Sequence, residues 1–145
     1  MLLRDLVNRR IKDVETAFGL SFPVTWDVGP WPHFNKPRGF GVTFQDEHGG
    51  PCKMRFSTKL ETAPDHRKDG IVRHELGHVV DLLVNPAFMD AWSLKRGVRL
   101  PPVDKGELRA DAIAHAVWNS PLLYDKDTVQ STLLGIPVRP PHLGV

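Results

Sequence analysis

At 145 residues, with 41% hydrophobic and 25% charged side chains, the chain has the composition of one folded domain and not of a disordered polymer. Its formal charge of +2 gives no electrostatic reason to expect a nucleic acid or an anionic membrane as partner. A single cysteine, Cys52, excludes an internal disulfide and a cysteine-rich zinc site, and fits a reducing compartment.

The first residues are apolar, but Arg4, Asp5, Arg9, Arg10, Lys12 and Asp13 interrupt them. Neither a signal peptide nor a membrane span is expected, and the default location is the cytoplasm. Leu3, Leu6, Val7, Ile11, Val14 and Phe18 form a helical stripe over 2–18, with Gly19 as the stop. Three alternating runs follow and predict strands with one buried face each: Phe22, Val24, Trp26 and Val28; Phe40, Val42 and Phe44; Cys52, Met54 and Phe56. Gly49-Gly50 supplies a hairpin turn between the second and third. The proline-rich stretch Gly29 to Arg38 is expected as a surface loop.

From residue 66 the period becomes helical. One helix is expected over 67–84 and a second from Asn85-Pro86 to about Gly97. A third runs from about Asp104 to Trp118, and a short fourth from Asp127 to Gly135. Residues 136–145, with three prolines, read as an irregular tail. A helix, three strands and then a run of helices make an α+β chain, read as a single domain over 1–145.

The chemistry concentrates in His74-Glu75-Leu76-Gly77-His78. Residues four apart on a helix share a face, so His74 and His78 aim two imidazoles at one point, as two zinc ligands should. Glu75 lies about 100° round the helix, within reach of a water on such a metal. Asp81 falls on the same side as the histidines, whereas Val72, Leu76, Val79 and Leu83 fall opposite. Asp81 is read as orienting His78, as pairing with a basic side chain, or as lying on a solvated face. A chance match to this pattern has odds on the order of one per cent for this histidine and glutamate content. Gly77, costly in mid-helix, suggests close approach to a neighbouring strand or a substrate.

Catalytic zinc usually takes three protein ligands and leaves one position for water. Asp81 and Val84 stand where His-Glu-x-x-His-x-x-Gly-x-x-His would need glycine and histidine, so that branch is excluded. On the later helix Glu107 and Asp111 are four apart and share a face that His115 and Trp118 continue. This arrangement resembles the gluzincin zinc peptidases. Glu107-Leu-Arg-Ala-Asp111-Ala-Ile-Ala114 resembles the Glu-x-x-Ala-(Asn/Asp)-x-x-Ala signature of short zinc peptidases. Those include the ImmA/IrrE type, which acts on repressors, and small gluzincin-like proteins of phages and actinobacteria. The resemblance covers residues 67–118. It implies a zincin-like fold, Glu107 as third zinc ligand, and Asp111 bracing a ligand imidazole. A competing reading stays open: Asp104-x-x-Glu107 is capping-box-like, which would make Glu107 a cap and Asp111 the ligand.

The expected activity is peptide hydrolysis in a protein or peptide substrate. Glu75 takes a proton from the attacking water and passes it to the leaving amine. His115 and Tyr124 are candidate oxyanion donors, though a structural role fits each better. The zincin resemblance implies a substrate bound as an added strand, and residues 52–57 are the candidate edge. A non-catalytic zinc-bearing interaction domain and a metal-dependent hydrolase of a non-peptide bond remain as alternatives. Glu75 counts against the former. Nothing in the sequence fixes an oligomeric state.

Overall fold

The computed structural model describes residues 1–30 and 40–120. Most of the expected 29–38 loop, Tyr124, the helix expected from Asp127 to Gly135 and the tail 136–145 lie outside them. The described residues form an α+β arrangement: an N-terminal helix, a three-stranded sheet and several further helices.

Helix α1 spans Leu3–Phe18 and buries Leu3, Leu6, Val7 and Val14. It ends at Gly19, whose φ of 65° is the left-handed conformation glycine adopts without strain. Strand β1 is Val24–Gly29, β2 is Gly41–Gln45 and β3 is Cys52–Ser57. Phe22 is buried but precedes β1. Gly49, at φ 78°, turns the chain between β2 and β3, and the Gln45 side chain donates to the Gly50 carbonyl at 2.7 Å.

The sheet order is β1-β3-β2, with β1 parallel and β2 antiparallel to β3. Two expectations fail here. Strand β3 is central and not an edge, since β1 pairs along one side and β2 along the other; residues 52–57 have no backbone edge left for a substrate strand. Alternation assigns a strand's faces but not its neighbours. The second failure concerns β2. Thr43 pairs with Met54 and Gly41 with Phe56, so Gly41, Thr43 and Gln45 share the inward face of Cys52, Met54 and Phe56. Val42 and Phe44 pair with Arg55 and Lys53 on the other face. The parity that reads as buried from the sequence is the outward one, because the inward positions lie over helix α3.

Cys52, Met54 and Phe56 join Val7, Val14, Leu60, Val72, Leu76, Val79 and Ile113 in the main core. A one-turn helix the periodicity did not predict, α2 (Thr58–Glu61), follows β3; Ser57 caps it by accepting from the Lys59 amide. Helix α3 spans Asp65–Leu83, α4 spans Pro86–Lys95 and α5 spans Gly106–Trp118. Asn85 caps α4 through the amides of Ala87 and Phe88, with Pro86 in the first turn. No helix among the described residues is long and apolar enough to cross a membrane.

Gly77 is where α3 meets α5. A Cβ there would collide with the Ala110 carbonyl group and lie 3.1 Å from its Cα. The close approach expected of Gly77 is thus to a helix backbone, and it brings the two helices together beside the histidines.

Candidate metal centre

Helix α3 is buried on both sides. Val72, Leu76, Val79 and Val80 face the core, and His74, Glu75 and Gly77 are buried as well. The His74 and His78 rings stand edge to face, 4.8 Å between centroids. Helix α5 brings Glu107 to both of them: Oε1 lies 2.6 Å from His78 Nε2, and Oε2 lies 3.4 Å from His74 Nε2. One ligand atom from each of His74, His78 and Glu107 falls within 4.8 Å of the others. These three residues could hold a metal ion.

Asp111 occupies the opposite nitrogen of His74, with Oδ1 2.9 Å from Nδ1, and both residues are buried. When His74 donates its Nδ1 proton to Asp111, its Nε2 lone pair turns toward the Glu107 carboxylate. Two acceptors then face each other, an arrangement that a cation between them relieves. Without a metal, a proton on His74 takes that place. Burial works against a charged His74, but the carboxylates of Asp111 and Glu107 and the charge of Glu75 outweigh it, pushing its pKa up to about 10. Burial disfavours the Glu107 carboxylate, yet His74 and His78 hold its pKa well below the usual carboxylate range. The carboxylates favour positive charge between them, whether a proton on His74 or a bound cation. Exposure is graded across it: the His78 side chain is 18% and that of Glu107 52% accessible, so that end opens to solvent.

The capping-box alternative for Glu107 fails. Lys105 is the N-cap of α5, and no side chain caps the helix. Asp81 pairs with Arg109, Oδ1 to Nε at 3.0 Å. His115 is buried, with Nδ1 2.8 Å from the Ser120 carbonyl, a bond that ties it to the end of α5.

Sequence reasoning passed over two contributors. Arg109 is buried and reaches Asp81 on α3, Asp90 on α4 and the Pro101 carbonyl. It sits between Glu107 and Asp111 in sequence, so it fixes the helix that carries both. Thr43 on β2 donates to the Glu75 carboxylate, Oγ1 to Oε1 at 2.7 Å. The polar residue inside an apolar alternation was the only signal for it.

Comparison with protein-family models, with curated proteins and with solved structures finds no match.

Proposed function

We propose that the chain is a zinc-dependent peptidase with a zincin-like, gluzincin-type site. The observation that carries the reading is the convergence of His74, His78 and Glu107 from two helices beside the buried Glu75. Two imidazoles and one carboxylate are a donor set that suits zinc and leaves a fourth position open. Ligand atoms about 2.1 Å from a tetrahedral ion stand roughly 3.4 Å apart; the His74–Glu107 spacing matches, and the 2.6 Å His78–Glu107 hydrogen bond would have to lengthen. A zinc ion held there would supply Lewis-acid activation of water near neutral pH.

The remaining steps belong to the chain. Asp111 would hold His74 by Nδ1, which directs Nε2 toward the ion. Glu75, which is not in the ligand set, accepts the proton of the attacking water and returns it to the leaving amine. Substrate preference would follow from β2. Among the described strands it pairs only with β3, and an extended peptide laid along its outer edge would run directly beside Glu75. That supports a peptide bond over a non-peptide one as the target.

Metal analysis together with proteolysis of an unfolded protein is the test. We expect about one zinc per chain. Glu75→Gln should abolish turnover and leave zinc content and fold unchanged. A folded, metal-free protein would refute the zinc site. Zinc without cleavage would refute the peptidase and leave a zinc-bearing interaction domain or a hydrolase of a non-peptide bond. Chelator competition sharpens the ligand assignment. Glu107→Ala should lose zinc outright, while Asp111→Ala should keep a site weakened about 10–100-fold; the reverse order would make Asp111 the ligand.

A further inference from the structure

Thr43 lies on the inward face of β2, an edge strand among the described residues, over the Glu75 turn of α3. Its hydroxyl is 2.7 Å from Glu75 Oε1 and 3.1 Å from the Glu75 backbone carbonyl. A hydroxyl has one proton to give, and here both acceptors belong to the same residue. Either donation fastens β2 to this turn of the helix. Two residues earlier on the same face, Gly41 makes room for the glutamate: a Cβ there would lie 3.1 Å from Glu75 Cγ, 3.2 Å from Phe56 and 3.3 Å from Ile71. The stem of Glu75 thus runs beneath a strand that clears it at 41 and grips its carboxylate at 43.

We propose that Thr43 is a positioning residue for Glu75, holding Oε1 so that the carboxylate presents its other oxygen to the proton it transfers. The terminal torsion of a glutamate is soft, and the carboxyl plane would otherwise swing over a broad range. A buried carboxylate also needs a hydrogen-bond partner, and Thr43 supplies one. Because the donor is on the edge strand, it also sets the register between a peptide laid along β2 and the group that acts on it. The proposal rests on Glu75 as the base.

Thr43→Val keeps the shape and removes the hydroxyl. In the zinc-loaded protein, kcat on a fluorogenic peptide should fall about 10- to 100-fold, with KM and zinc stoichiometry held within about twofold. Thr43→Ser should recover kcat to within about threefold of the parent, since it restores the donor. Unchanged kcat in the valine variant, or equal losses in the valine and serine variants, overturns the proposal. Failure of the peptidase reading is separately visible, as an inactive parent or an undiminished Glu75→Gln. A double-mutant cycle of Thr43→Val and Glu75→Ala in equilibrium unfolding then decides. Coupling of about fivefold or more in the unfolding constant supports the contact, and coupling below about twofold overturns it.

Discussion

Strands β2 and β3 lie side by side in one sheet and are built on opposite plans. In β3, Cys52, Met54 and Phe56 are fully buried and Lys53 and Arg55 point away, with ion pairs to Asp46 and Asp27. In β2 every residue is half-buried, and the inward positions are a glycine, a threonine and a glutamine. The difference follows from what lies beneath. Where the core lies beneath the sheet, a strand gains most from large apolar groups. Where a carboxylate lies under a strand, bulk is excluded and a donor is required. β3 is scaffold, and β2 is the site's ceiling. Local rules give way where β2 covers the Glu75 carboxylate, as the proposed site would lead one to expect.

The contrast can be broken from either side. The largest effect is expected at Phe56. Phe56→Ala should cost about 3–5 kcal/mol of stability, read from denaturant unfolding, because a fully buried ring leaves a cavity in the core. A loss under about 1 kcal/mol would mean that β3 does not anchor the sheet.

Gly41→Ala should show the converse. The three side chains it meets must each give by a few tenths of an ångström, so the variant should lose about 1–3 kcal/mol of stability, less than Phe56→Ala. The displaced Glu75 should lower turnover by about tenfold or more. A variant as active as the parent would mean that the strand does not constrain the glutamate.

The smallest effect concerns Cys52. Burial pushes its thiol up from 9.0 to about 11, with the Gln45 side chain partly opposing the shift. The folded state therefore keeps a proton that the unfolded chain releases earlier. The stability tied to this group is complete below pH 9 and is lost as pH rises from about 9 to about 11. Unfolding curves across that range should decline for the parent and decline less for Cys52→Ala. Identical slopes would place the thiol in contact with water.

Much of this was readable from residue order alone. The α1 stripe and its glycine stop, the Asn85-Pro86 start of α4 and the His74–His78 pair each rest on chemistry within a few residues, and the structure keeps them. Glu107 and Asp111 could be placed on one face, but not assigned their nitrogens of His74, because that depends on how α5 crosses α3. Strand order was hidden for the same reason: alternation in Cys52, Met54 and Phe56 names a buried face and is silent on which strands flank it. Val42 and Phe44 misled outright. Their apolar parity suggested the core, whereas the positions that mattered were Gly41 and Thr43, whose partner is a glutamate some thirty residues further on. Helix α2 is too short to show a period.

The contact between Gly77 and Ala110 also has a consequence for precision. Gly77 is three residues from His74 and one from His78; Ala110 is three from Glu107 and one from Asp111. Every group of the centre therefore sits within about 4.5 Å, measured along its own helix axis, of the point where the two backbones touch. That point acts as a fulcrum with short arms. A 10° error in the crossing of the helices shifts Glu107 by only about 0.8 Å at that radius, against about 2.8 Å for a group three turns away. Disturbances at the far ends of α3 and α5 reach the centre as small displacements, and the pivot itself is the one place where a single added methyl group would be felt at all four residues together.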